Sequence, residues 1–184
     1  MMIRCWCLIC LLFSLSASAD PWPFRAALSF SSAQVHDDAG AETSHPAVMN
    51  FNLGYDPLPY AGVEVEGSTG VADAQGSNCT LTCISTNVSE RAGFLALARL
   101  SWPQGRVRPY LRAGAGDWRL QTSVGAAVPT LTAWHVVAAG GGIAWQIDQR
   151  SSLFIDALRL HATVGDIHLY SLGFAQRFDF SGRY

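Results

Sequence analysis

From residue 24 onward, apolar and polar residues alternate along most of the chain, the period of a strand with two unlike faces. Val63 and Val65 alternate with Glu64 and Glu66. Phe94, Ala96, Ala98, Leu100 and Trp102 share one parity, with Arg99 on the other. Leu111, Ala113 and Ala115 alternate with Arg112, Gly114 and Gly116. Tyr170, Leu172, Phe174, Phe178 and Phe180 oppose Arg177, and Gln176 interrupts their apolar row. The pattern predicts eight strands, at about 24–36, 47–55, 60–72, 92–102, 107–119, 133–147, 152–162 and 167–180. Proline falls mainly between them, as a hydrogen-bonded ladder requires.

The connections between these strands alternate in length. His36 to Pro46, Asp73 to Arg91 and Leu120 to Thr132 are long. Asp56-Pro57-Leu58-Pro59, Pro103-Gln104-Gly105-Arg106 and Asp148 to Ser151 are short and carry turn residues. The last connection, Thr163 to Asp166, is short where the alternation calls for a long one. Long loops at one end and tight turns at the other are the layout of barrels that cross the bacterial outer membrane. The expected fold is all-β: an eight-stranded antiparallel up-and-down transmembrane β-barrel.

Composition agrees with that expectation. Only 14% of residues are charged and 49% are hydrophobic, against roughly 25% charged in soluble domains. All 12 basic residues are arginine and the net charge is −2, so no basic surface for nucleic acid is expected. In a membrane barrel the apolar parity faces lipid and the polar parity faces a narrow lumen. Glu64, Glu66, Arg99, Arg112 and Arg177 therefore point inward, where desolvated charges must pair. The expectation is a salt-bridged polar core that closes the lumen. Asp156 and Arg159 resist the scheme, because residues three apart cannot share a face. Either a bulge intervenes or one of them lies near a strand end. Trp22, Tyr55, Tyr60, Trp102, Tyr110, Trp118, Trp134 and Trp145 lie near expected strand ends, consistent with two interfacial girdles.

Residues 1–19 read as a signal peptide: Arg4, an apolar stretch from Cys5 to Leu15, then Ala17-Ser18-Ala19 as a cleavage site before Asp20. The expected organisation is signal peptide 1–19 and barrel domain 20–184, in a protein exported to the cell outer membrane. An uncleaved anchor, or a lipoprotein processed at Cys10, is the alternative. Cys5, Cys7 and Cys10 leave with the peptide; Cys79 and Cys83 remain as a candidate disulfide in an oxidising compartment.

Chemistry-bearing constellations are sparse. His36, His45, His135, His161 and His168 show no metal-ligand spacing, so no metal is expected, and no cofactor. His168, Ser171 and Asp166 could be assembled into a catalytic set on paper, yet Ser171 and His168 fall on opposite parities and no nucleophile-elbow motif surrounds a serine. Gly140-Gly141-Gly142 lacks the lysine and helix of a phosphate loop and reads as a strand needing close approach. The Ser/Thr/Asn-rich connection 73–91 is the candidate surface for an extracellular partner.

Pro109-Tyr110-Leu111-Arg112-Ala113-Gly114-Ala115-Gly116, Gly140 to Trp145 and Ser152 to Asp156 give the chain a resemblance to the small outer-membrane β-barrel family typified by OmpA and OmpX. That resemblance implies a last strand whose aromatics are read by the outer-membrane assembly machinery. Phe174, Phe178 and Phe180 match, and the chain continues to Tyr184 in the same phase. Members include anchors, adhesins, resistance factors and lipid-modifying enzymes, so the resemblance selects no activity. The expected role is structural or surface-interacting, without catalysis, with outer-membrane lipid as the surroundings. Two alternatives stand beside it: a lipid-modifying enzyme on the same barrel, and a soluble periplasmic barrel with an apolar ligand inside.

Overall fold

A computed structural model describes the backbone of residues 22–36, 42–72, 74–79, 83–102, 105–124, 128–163 and 165–178. Within these, the side chains of residues 36, 42–44, 74–79, 83–91 and 122–124 are not described. The signal peptide, the cysteine side chains and Phe180 all fall outside the described residues.

The strands are β1 (Phe24–His36), β2 (Glu42–Ser44), β3 (Ala47–Leu58), β4 (Ala61–Ala72), β5 (Ala74–Cys79), β6 (Cys83–Ser101), β7 (Val107–Val124), β8 (Thr130–Gln146), β9 (Ser151–Ala162) and β10 (Gly165–Phe178). Eight of them run β10-β9-β8-β7-β6-β4-β3-β1 around the sheet, and β10 pairs back onto β1 to close it. Closure leaves no edge on this ring to recruit another chain. The closing register runs from Phe24 opposite Phe178 to His36 opposite Asp166 without a break. The β3–β4, β6–β7 and β8–β9 connections and the chain's two barrel ends gather at one mouth, called here the turn end; the other, where the short β9–β10 connection also lies, is the loop end.

β2 and β5 are extensions at the loop end. β5 pairs with the start of β6 from Ala74 opposite Val88 to Cys79 opposite Cys83, and Thr86 to Glu90 also pair with β7. Much of the expected loop 73–91 is therefore ladder. Its residues carry no apolar row, so period offers no strand signal there; what extends the sheet is backbone N–H and C=O groups finding partners. The register of β6 against β7 slips between Glu90 and Ala92, a bulge that re-aims the strand above it. β7 and β8 likewise run on through most of the expected loop 120–132.

Interior residues change character in order along each strand. On β1, Arg25 is followed inward by Ser29 and Ser31, then Ala33 and Val35. On β3 the series is Asp56, Asn52, Asn50, Val48. On β9 it is Asp156, Leu158, Leu160, Ala162; on β10, Arg177, Ser171, Leu169, Ile167. Charge gathers in the turn-end half beside a small apolar cluster of Ala27, Tyr110, Ala144, Phe154 and Ala175, small hydroxyls and amides follow, and the loop end is filled by a larger apolar core. That core contains Trp118, Leu120, Leu95, Leu97, Val136 and Leu158 among others. The expectation of a polar lumen throughout is corrected: only the turn-end half is polar.

The outer wall inverts at the same height. Near the turn end Leu28, Phe30, Phe51, Leu53, Val63, Leu111, Ile143, Ile155 and Leu172 are exposed. Toward the loop end the outward residues become Asp117, Arg119, His135, Arg159 and His161. On β8 the apolar outer row runs from Trp145 to Val137 before His135, close to the roughly 9–11 residues a tilted strand needs to cross a bilayer. Asp156 and Arg159 are placed by this inversion. Neither ladder of β9 shifts register, so no bulge is involved: Asp156 points in below the switch and Arg159 points out above it.

Tyr55, Trp102 and Trp145 lie outward at the turn end, as an interfacial girdle requires. Tyr110 and Trp118 are instead buried inside the barrel, and Trp134 packs against its core. Their parity opposite Leu111 and His135 puts them there, which corrects the expected girdle.

Turns are locally specified. Gly105 has φ +70° in the β6–β7 connection, a conformation glycine adopts without steric cost. In the β8–β9 turn, Asp148 Oδ1 accepts the backbone N–H groups of Arg150 and Ser151, each at 2.7 Å. These bonds hold the Asp148 carboxyl below its ordinary aspartate value. A depressed value in the fold means stability that is present above about pH 4 and lost on further acidification. Asp148→Ala is therefore expected to weaken the barrel at neutral pH, with the gap to wild type closing in acid. Urea titrations of folded samples across pH 3 to 7 check this; a gap independent of pH would assign the loss to the turn backbone instead.

Candidate functional site

The charged cluster at the turn end is the chemically richest region among the described residues. Arg112, in the middle of β7, reaches three carboxylates. Its Nη1 lies 3.1 Å from Glu64 Oε1 and 2.8 Å from Glu66 Oε2, and its Nη2 lies 2.7 Å from Asp156 Oδ2. Tyr110, two residues earlier on the same face, donates its hydroxyl to Asp156 Oδ2 at 3.0 Å. Glu64 also accepts from Arg25 Nη2, and Arg99 Nη1 stands 3.8 Å from it. Arg99 donates through Nε to Ser101 Oγ at 3.1 Å and lies 3.8 Å over the Tyr110 ring. Asp56 links Arg25, at 3.7 Å, to Arg177, at 3.3 Å.

Local sequence makes this crowding feasible. A Cβ on Gly142 would stand 2.7 Å from the Tyr110 hydroxyl and 2.5 Å from Asp156 Cβ. One on Gly54 would stand 2.8 Å from the Arg25 guanidinium. The glycines leave the volume that the ions fill, which is the close approach read from Gly140-Gly141-Gly142.

Of the five lumen charges read from the sequence, the structure brings Glu64, Glu66, Arg99 and Arg112 together. Arg177 sits apart at the mouth, joined to the others through Asp56 and Arg25 rather than by a glutamate. Arg25, Asp56, Tyr110 and Asp156 are the members that pattern reading missed. Arg25 was legible in principle, since it has the parity of Ala27, Ser29 and Ser31 and opposes Leu28 and Phe30.

Glu66 Oε1 and Asp156 Oδ1 have no hydrogen-bond partner among the described residues. A buried ionic cluster that is incompletely satisfied contributes less to stability than to a unique arrangement. Its chemistry is that of a plug. Behind it, Ser31 and Ser171 share a hydrogen bond of 2.7 Å, and Asn50 Nδ2 donates to Ser31 Oγ at 2.5 Å. Ser171 thus lies inside the barrel while His168 and Asp166 belong to the outer wall, where Asp166 binds Arg159 and His161 at 2.5 and 2.6 Å. The paper triad is split across the sheet. No group of three metal-ligating side chains occurs among the described residues.

A closed sheet with an apolar exterior and ions within is the reverse of a soluble barrel, and solved structures share the fold of that sheet. Ail, the attachment invasion locus protein of Yersinia pestis, superposes with TM-score 0.60 at 15% identity, covering 84% of this chain and 97% of that one. OprG of Pseudomonas aeruginosa gives 0.61 at 12% identity over 85% and 97%. Neisserial surface protein A gives 0.59 at 14% over 85% and 97%. This is the small outer-membrane barrel fold. No protein-family model and no curated protein sequence matches the chain, so the small-barrel likeness is one of architecture. It agrees with the OmpA- and OmpX-like resemblance of the sequence in strand number, pairing and closure.

Proposed function

We propose that the chain is an integral protein of the bacterial outer membrane, with a closed barrel, no catalysis, and a structural or surface-interaction role exercised at its loop end. One observation carries the reading: residues such as Phe30, Leu111, Ile155 and Leu172 are more than half exposed on the wall that encloses Glu64, Glu66 and Arg112. Contiguous apolar surface of that extent is unstable in water and at home among acyl chains. A soluble barrel holding an apolar ligand would need the opposite arrangement. The likeness to outer-membrane barrels supports the location.

The remaining parts of the reading extend from sequence. A signal peptide 1–19 delivers the chain. Phe174 and Phe178, both on the outward parity of β10, with Phe180 beyond them, present the aromatic signal to the assembly machinery. Cys79 and Cys83, opposed in backbone register, form a disulfide that staples the β5–β6 hairpin. That hairpin is the surface offered to an extracellular partner. A solved form of Ail holds the heparin analogue sucrose octasulfate, which supports an interaction role for this architecture without naming a partner here.

The mature chain is expected to fold only with detergent or lipid, and to migrate faster on gels before boiling than after. Proteolysis of intact cells is expected to cut within 73–91. A chain that stays folded and monomeric in plain buffer would overturn the membrane assignment; protection of 73–91 until the outer membrane is permeabilised would invert the topology.

A further inference from the structure

At the loop end, backbone register lines up four residues of metal-ligating type. On β1, His36 continues the outward parity of Phe30, Ser32 and Gln34. It stands opposite Glu42 of β2 on one side and opposite Asp166 of β10 on the other. Asp166 in turn stands opposite His161 of β9. The row Glu42, His36, Asp166, His161 thus crosses four neighbouring strands and spans the seam where β10 closes onto β1. Spacing along the chain conceals it, because each strand supplies one member. Two members are already drawn together: His161 Nδ1 lies 2.6 Å from Asp166 Oδ1, with the His161 side chain 70% exposed. Asp166 Oδ2 accepts from Arg159 Nη2 at 2.5 Å. In the next row His168 stands opposite Arg159 and has contacts of its own. On the far side of His161, His135 of β8 is paired with Asp117 of β7.

We propose that this row binds one divalent transition-metal ion of the zinc class through His36, Asp166 and His161, with Glu42 completing the set. The class follows from the donors: imidazoles with carboxylates are the ligands zinc takes in four-coordinate sites. Neighbouring strands lie about 4.8 Å apart, so the two histidines flank Asp166 across roughly 10 Å, a span that two imidazoles can close on one ion. The ion displaces the proton between His161 Nδ1 and Asp166 Oδ1, which leaves to solvent. Arg159 keeps Oδ2, the kind of outer contact that orients a ligating carboxylate. Bound there, the ion is a clasp that ties the last two strands to the first at the loop end. The row is fixed by strand register and is the same whether the wall beside it meets lipid or water.

The test uses the folded mature barrel, free of any affinity tag, titrated with zinc chloride in a calorimeter. Wild type is expected to take up one ion per chain saturably. His36→Gln and His161→Gln are each expected to weaken that binding by about tenfold or more, since even the outer contacts of a metal site are worth roughly that much. His135→Gln, on the same wall but paired with Asp117, is expected to leave it unchanged. Circular dichroism confirms first that each variant keeps its β-structure, which separates loss of a ligand from loss of the fold. The same check holds in detergent or in plain buffer, so failure of the membrane reading is not confused with failure of binding. Wild type without saturable uptake would overturn the site. Weakening by His135→Gln and His161→Gln but not by His36→Gln would overturn it too, by placing the ion between β8 and β9 and away from the seam.

Discussion

Arg112→Met is expected to cost the barrel about 3–5 kcal/mol, the scale of leaving buried charges without their partner. The reason is the sharing described above. One guanidinium serves Glu64, Glu66 and Asp156, and no other described cation stands within ion-pair distance of the last two. Methionine keeps most of the volume and removes the charge, so packing loss is small. Companion substitutions separate charge from shape. Adding Glu66→Gln and Asp156→Asn to Arg112→Met removes the orphaned carboxylates and is expected to recover most of the loss, because buried ion clusters replaced by neutral groups are often near neutral in stability. Reversible urea unfolding in lipid vesicles gives both numbers. A single variant as stable as wild type would show that the cluster is not electrostatically bound together.

Trp118→Ala is expected to be comparably severe, about 3–5 kcal/mol, through the cavity it leaves in the loop-end core. Trp118 is 1% exposed and is the largest fully buried side chain described. It lies over Gly93 of the neighbouring strand, where an added Cβ would stand 2.5–2.7 Å from its six-membered ring. That complementarity supplies a second reading of the same experiment. Gly93→Leu alone is expected to destabilise by displacing the indole, and the double variant Gly93→Leu, Trp118→Ala to be better than the sum of the two. Strict additivity would mean the two positions do not share one volume.

Strand existence and facing were legible because period two survives wherever one face meets lipid. The starts and ends of the turn-end strands followed from their prolines and aspartates. What stayed hidden was a change of rule within a strand. In β9, Ile155 and Ala157 are the outer pair around Asp156, yet Leu158 and Leu160 are the inner pair around Arg159. Period alone reads both halves as strand and says nothing of which side is which. Applying one orientation throughout made Asp156 and Arg159 irreconcilable and assigned Tyr110 and Trp118 to a girdle. The members of the charged cluster contributed by β1 and β3 were missed for a related reason: Arg25 and Asp56 sit at strand ends, where a charge is equally at home in a turn.

That change of orientation has a mechanical consequence. A sheet oily on its outside below one level and oily on its inside above it carries a waterline in its own covalent sequence. Sliding the molecule outward along the membrane normal would wet Leu111, Ile143 and Ile155; sliding it inward would drag Arg159, His161 and Asp117 among acyl chains. The barrel's own residues thus set its depth of immersion. The height at which the loop-end hairpins stand clear of the bilayer is set by where the greasy parity changes sides.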